Sequence, residues 1–470
     1  MIDETRTLTG TARALRNGEV TSTGLTEAAI ATADRLDGLL GVYLTRFDEL
    51  AMQAAERADR ELAAGLDRGP LQGIPFGVKD MAAMAEGPTT AQSLILERSW
   101  GAAKDAPVVT RLKAAGAVIT GKTSLMEFGC GTPDETKPFP VPRNPWRPEH
   151  WAGGSSSGTA AGVASGMFAA GLGSDTGGSI RMPAAFCGVT GLMPTFGLVP
   201  KSGCVPMGFS LDRVGPLARS ARDCAAVLEA LAGWHASDPD SVHAGFTAPG
   251  FDGDLTGLRV GVVWEGHFPP DADPALASAF EAAVAEFTAL GATPVEVSLP
   301  YRREMDTALF VISTSEALAY HRHELSRRWQ DFFPATRGLV ATGALFSGAD
   351  YVQAQRVRRV AQDALAKLFT EVDVIACPTA SVGAPALATL DHRQLYPLLN
   401  TPYWNSVGCP VLAVPMGFTG DGLPLSLQLA GPAFGEASIL RAGDAFQRRT
   451  DWHLRTPAGI DAGIDAEVSR

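Results

Sequence analysis

The chain has 470 residues, 46% of them hydrophobic and 19% charged, which suits a folded protein whose core needs no disulfide or metal to hold it. Its formal net charge of −12 argues against non-specific binding to nucleic acid or to an anionic membrane, both of which need a basic surface.

From about Leu8 to Leu66 apolar residues recur at helical spacing and predict two or three helices, with Thr21 and Ser22 placed to cap the second. Gly73 to Lys79 predicts a short buried strand ending at a lysine. A helix over 106–115 and an apolar strand at Ala117–Thr120 follow. Between Trp151 and Pro200 glycine, serine and alanine dominate, yet Val163, Met167, Phe168 and Leu172 interleave with them. That is not a flexible linker; it predicts closely packed backbone, or backbone that must touch a ligand. Residues 235–256 predict a surface loop. Beyond it the pattern predicts a strand at Leu258–Trp264, a helix at Pro274–Leu290 and a strand at Thr293–Leu299. Helices over 303–330 and 350–370 come next, then strands at Val372–Cys377, Val411–Met416 and Leu425–Ala430. This alternation predicts an α/β layered fold, and no internal repeat interrupts it.

Two short patterns fail on physical grounds. Gly116 to Thr123 fits the phosphate-loop spacing G-x-x-x-x-G-K-[ST], but its middle residues are the predicted strand, so their amides belong to a sheet ladder rather than to a phosphate. Gly154 to Gly158 fits the G-x-S-x-G nucleophile elbow. No apolar strand leads into it, and of the histidines only His392 and His453 come late enough to serve it. His321 and His323 are two apart on a predicted helix, face different directions, and read as solvated side chains rather than metal ligands. The six cysteines (Cys130, Cys187, Cys204, Cys224, Cys377, Cys409) are scattered without a Cys-x-x-Cys pair and predict free thiols. The polar opening Met1–Arg6 carries no signal-peptide pattern and no stretch is apolar enough to span a bilayer, so the expected location is the cytoplasm.

The informative stretch is Gly153-Gly154-Ser155-Ser156-Ser157-Gly158, followed by Gly173-Ser174-Asp175-Thr176-Gly177-Gly178-Ser179-Ile180-Arg181. Acyl transfer needs a nucleophile beside N–H groups that face a developing oxyanion. Thr176 to Ser179 offers four successive amides, and Gly177 and Gly178 permit the backbone angles that turn them inward. On this stretch alone a Gly-Gly turn with a capping serine explains the pattern equally well.

Taken with Gly77-Val78-Lys79-Asp80, Pro183 to Gly188, Gly191 to Thr195 and Leu211 to Pro216, the stretch resembles the amidase signature family. Ser155 and Ser179 stand 24 positions apart, the spacing that family uses. The resemblance covers nearly the whole chain. It implies a single α/β/α domain over 1–470, a large mixed β-sheet covered by helices, with a helical segment at about 1–66 and a signature core at about 70–220. It implies Ser179 as nucleophile, Ser155 on a cis peptide as the bridging serine, and Lys79 as base. The amides of Thr176, Gly177, Gly178 and Ser179 are the implied oxyanion hole, with Gly129, Cys130 and Ser155 lining the substrate pocket, although loop packing accounts for Gly129 and Cys130 equally well. Asp175 and Arg181 are expected to support the turn as an ion pair, and Ser156 to donate from behind. No metal and no cofactor is implied. Met193, in place of the usual lysine, and Thr123-Ser124, in place of Thr-Asn, depart from the family pattern away from the triad.

The expected activity is hydrolysis of a small carboxamide; anilides, hydrazides, carbamates and esters present the same carbonyl. The expected partner is that small molecule, not nucleic acid or membrane, and monomer and homodimer both stay open. A rival is the amidotransferase component that supplies ammonia to mischarged glutamyl-tRNA with the same triad and a partner protein. Gly208 to Asp212 and the apolar surroundings of Trp404 resemble stand-alone hydrolases more. A non-catalytic binding protein on the same scaffold is the third class, and the intact Lys79, Ser155 and Ser179 speak against it.

Overall fold

The computed structural model describes residues 6–458, so the reading of Met1–Thr5 lies outside the described residues. The strands are β1 (Tyr43–Arg46), β2 (Pro75–Lys79), β3 (Val118–Thr123), β4 (Ala170–Asp175), β5 (Thr190–Met193) and β6 (Arg213–Ala218). The rest are β7 (Arg259–Val262), β8 (Thr293–Glu296), β9 (Val374–Pro378), β10 (Val411–Phe418) and β11 (Pro424–Ala430). Among the described residues these form one sheet in the order β1-β3-β2-β4-β6-β5-β10-β11-β9-β7-β8. Two runs are parallel (β3, β2 and β4; β9, β7 and β8) and antiparallel pairs join them through the middle, while the edge strand β1 is antiparallel to β3.

Helices cover both faces. They are α1 (Leu8–Arg16), α2 (Ser22–Leu40), α3 (Asp48–Ala63), α4 (Pro107–Ala114), α5 (Ser157–Ala164), α6 (Arg181–Cys187) and α7 (Ala221–Leu231). Then come α8 (Leu276–Ala289), α9 (Arg302–Arg327), α10 (Pro334–Thr342), α11 (Gly348–Leu368), α12 (His392–Leu395), α13 (Pro402–Val407) and α14 (Glu436–Arg449). Strand alternation sorts the contacts. Phe76, Val78, Leu412 and Leu427 pack with α1, α4, α7, α8 and α14. Leu217 and Ala413 meet α5 and α6, and Ile375 and Val411 meet α9, α11 and α13, on the opposite face. The glycine-rich segment folds into α5, β4, α6 and β5, and every residue of α5 is buried. A Cβ on Gly162 would lie 2.1 Å from the Phe168 ring, which is why only the smallest residue fits there. The α/β/α layering expected from the sequence is the observed one.

Several local expectations are corrected. The region read as helices alone, up to Leu66, contains β1, whose Tyr43 pairs with Thr123 and whose Tyr43 hydroxyl bonds to Thr120. Four residues are too few for alternation to register against helical flanks. Strands β4, β5 and β6 and helices α5, α6, α7, α10, α12, α13 and α14 add to the expected elements, although α10 and α13 each open on a first-turn proline, a usual start signal. His321 is not solvated: it is buried, with its ring 4.3 Å from that of Phe128 and 5.8 Å from that of Phe332, whereas His323 is exposed. The phosphate-loop pattern is indeed β3, and its Lys122 is spent on a buried ion pair with Asp80 at 2.8 Å. The elbow pattern lies at the start of α5, with no strand leading into it. All six cysteines are free thiols, and no helix among the described residues is long and apolar enough to cross a membrane.

Candidate active site

The site begins where two parallel neighbours end: β2 at Lys79 and β4 at Asp175. Phe76 and Val78 occupy one face of the sheet, so Gly77 and Lys79 alternate to the face under α5. Lys79 is 2% exposed, and its Nζ donates to Ser155 Oγ at 2.7 Å, Ser174 Oγ at 2.9 Å and Ser156 Oγ at 3.0 Å. Burial pushes this ammonium down to about 7, against the pull of the Asp175 and Asp212 carboxylates. Its hydrogen-bond partners are hydroxyls, so no ion pair locks the charged form. The Gly154–Ser155 peptide is cis. Ser156 N donates to Ser179 O at 3.1 Å, which ties the residue after Ser155 to the backbone of Ser179. Ser156 Oγ also accepts from Ser174 N and donates to Ser174 O.

The turn bearing Ser179 is held from behind. Asp175 accepts from Gly178 N at 2.7 Å and Ile180 N at 3.0 Å, and pairs with Arg181 at 3.0 Å, both side chains being fully buried. Burial alone would raise the Asp175 carboxyl; the Arg181 charge and the hydrogen bonds from Arg181, Asn405 and Ile180 outweigh it and hold the pKa at about 2. Arg181 donates onward to Thr401 O at 3.0 Å and Gln428 Oε1 at 2.9 Å. Thr401 closes the circuit: its hydroxyl donates to Gly177 O at 2.8 Å. The Gly177–Gly178 peptide is therefore gripped at both its N–H and its C=O. Gly178 has φ +133°, and a Cβ there would lie 2.1 Å from Thr401 Oγ1, so no other residue fits. This corrects the expectation of four free amides. Gly178 N is committed to Asp175, while the amides of Thr176, Gly177 and Ser179 have no acceptor among the described residues.

Ser155, Thr176, Gly177 and Ser179 share one cavity of about 690 Å³ with Gly129 and Cys130. A methyl group built on Gly129 would sit 3.5 Å from Ser155 Oγ. Burial pushes the Cys130 thiol up to about 12, so it is no nucleophile near neutrality. Glu127 anchors the cavity's roof: it accepts from Ser93 Oγ at 2.7 Å and, at the start of α10, from Phe333 N at 2.7 Å. Burial raises its carboxyl to about 7.

Sequence reasoning missed Ser174, Thr401, Asn405 and Glu127. Ser174 had a signal, since it lies in the stretch singled out and on the strand beside Lys79. Thr401 and Asn405 come from the far end of the chain with no local mark. Trp404 does not face substrate at all; it is fully buried under the sheet, and Phe209 is 53% exposed outside the cavity. Neither carries the preference for a stand-alone hydrolase drawn from them.

The family model described as Amidase matches residues 24–440. The chain is 38% identical to the A subunit of the glutamyl-tRNA(Gln) amidotransferase of Methylococcus capsulatus, over 97% of this chain and 99% of that one. It superposes on a solved structure reported as a vestigial protein complex revealing the origins of an s-triazine catabolic enzyme. There the TM-score is 0.88 at 34% identity, over 94% of this chain and 98% of the other. For the native peptide amidase of Stenotrophomonas maltophilia the TM-score is 0.84 at 30% identity, over 97% and 99%. A match over most of the length, on a sheet that brings Lys79, Ser155 and Ser179 to one place, makes this chain a member of the amidase signature family.

Proposed function

We propose that the chain hydrolyses a carboxamide-type bond through an acyl-enzyme on Ser179, with Lys79 as base and Ser155 as the proton relay. The observation that carries the reading is Lys79: a buried amine at about 7, against hydroxyls alone, 2.7 Å from Ser155 Oγ. A neutral lysine takes the Ser155 proton as Ser155 takes that of Ser179, and Ser179 Oγ bonds to the carbonyl carbon. The oxyanion is received by the amides of Thr176, Gly177 and Ser179, which lack other acceptors. Collapse breaks the C–N bond, and the proton returns through Ser155 to the leaving amine. Water then repeats the sequence on the acyl-enzyme and releases the acid.

The test is the pH profile of kcat/KM on a neutral amide. Below about 7 the protonated Lys79 cannot accept, so the rate rises about tenfold per pH unit and levels off above neutrality. A rate that falls from pH 6 to pH 9 with the fold intact rules the relay out.

The relatives favour a second reading. Those of Methylococcus capsulatus and Roseiflexus match almost end to end at 38% and 40% identity and are amidotransferase A subunits. On that reading the same Ser179 chemistry releases ammonia from glutamine for a partner protein. Co-purification of such a partner with the chain at native expression supports it. Full activity of the isolated chain on simple amides supports the first reading.

A further inference from the structure

The wall around Ser179 holds more than its nucleophile. Met182, Met207, Leu309, Phe310, Leu339 and Leu399 line the cavity. Beyond the catalytic floor, the polar side chains in its lining are those of Ser313, Thr342, Tyr396 and His392 and, either side of His392 on one turn, Asp391 and Arg393. These last two pair with each other at 3.0 Å, and the Arg393 side chain is 80% exposed, so this charge is cancelled at the solvent edge. Acids behind the wall are also committed: Asp212 accepts from Thr176 Oγ1, Met207 N and Gly208 N, and Glu316 from Ser210 N and Tyr351 OH. Lys79 spends its donors on Ser155, Ser156 and Ser174.

We infer that the acyl group this site accepts is uncharged and largely apolar, an aliphatic or aryl-alkyl carboxamide, and that free glutamine is a poor substrate. The inference rests on Ser179 as nucleophile. With its amide carbon at Ser179, glutamine places an ammonium and a carboxylate about 5 Å away, a reach set by ordinary bond lengths. Both would leave water for walls that are mainly thioether, aliphatic and aromatic, where the oppositely charged pair in the lining, Asp391 and Arg393, is already neutralised against itself, and burying unpaired charge is strongly unfavourable. A hydrocarbon chain of the same length gains from the same walls. The cavity volume of about 690 Å³ also exceeds what a chain as short as glutamine fills and leaves room for a ring. The reaction is ordinary hydrolysis: the amide and one water give the carboxylate and ammonium.

The experiment measures ammonia release by the purified full chain from pentanamide, 3-phenylpropanamide and L-glutamine. Pentanamide keeps the carbon chain of glutamine without its charges. The expected kcat/KM for pentanamide exceeds that for L-glutamine by at least 100-fold, and 3-phenylpropanamide is better still. L-glutamine turned over as well as pentanamide, or better, overturns the inference. So does failure of both neutral amides while a fluorophosphonate still labels Ser179, and in that case the nucleophile stands. Full activity in Ser179→Ala instead removes the nucleophile reading, whatever the order of preference.

Discussion

The floor and the roof of the cavity are built on opposite principles. The floor, from Lys79 through Ser155 to the turn at Asp175–Arg181, is mostly buried and threaded with hydrogen bonds; Gly177 and Ser179, which open on the cavity, are its half-buried members. The roof, α10 and the segment around α12, is half-exposed and presents more apolar than polar side chains to the cavity, the polar ones being Thr342, Asp391, His392, Arg393 and Tyr396, with Thr336 and Val340 as the buried residues of α10. Buried polar networks permit one arrangement, because each broken bond strands a desolvated partner. An apolar, part-exposed wall tolerates change in shape at modest cost. On the proposed mechanism reaction and substrate choice are divided between these two regions, and substitutions in each should act on different constants.

The largest effect belongs to the floor. Ser179→Ala removes the attacking oxygen and should lower kcat on the order of 10⁵-fold, measured with any hydrolysed amide. Ser155→Ala breaks the relay at the hydroxyl nearest Lys79 and should cost about 10²–10⁴-fold. Ser157→Ala is its control: that hydroxyl donates to Gly153 O and not toward Lys79, so the loss should stay within a few-fold. Ser156 is no such control, because it accepts from Lys79 Nζ at 3.0 Å. A Ser157→Ala loss as deep as that of Ser155→Ala would erase the distinction.

Next comes the back of the turn. Thr401→Val removes the hydrogen bond to Gly177 O and should lower kcat about 10–100-fold with KM within a few-fold, less than losing an oxyanion donor outright. Thr401→Ser, which keeps the hydroxyl, should recover most of it. A change confined to KM would place Thr401 in substrate binding instead. The smallest effect belongs to the roof. Leu339→Ala should raise KM a few-fold for a phenyl-bearing amide and leave kcat for a small amide unchanged. A loss of kcat on both substrates would show that the two regions are not separable.

The floor was also the more legible region in the sequence. Lys79, Ser155 and Ser179 lie in stretches whose glycines and serines exist to bring backbone close to backbone, and such demands leave a composition mark. The strands beyond residue 255 and the helices α8, α9 and α11 were legible because their apolar spacing is regular, whereas α14 was not read. The roof left no comparable mark: α10 and α12 are short, and their cavity-lining residues follow no distinctive spacing or composition. Thr401 and Asn405 could not be read locally, since their roles come from β-sheet order, which sets α13 beside a turn more than 200 residues earlier. The expectation of four oxyanion amides failed at Gly178 for a related reason. Sequence displays the amides but not the carboxylate of Asp175 that claims one of them.

The central claim is that Ser179 becomes acylated while Lys79 drives it. Trapping the full chain with a fluorophosphonate, followed by peptide mass mapping across a pH series, tests this most directly. The account predicts one adduct, on Ser179, formed faster as pH rises through about 7 and lost in Ser179→Ala. An adduct on Ser156, the central residue of the G-x-S-x-G pattern, would contradict it.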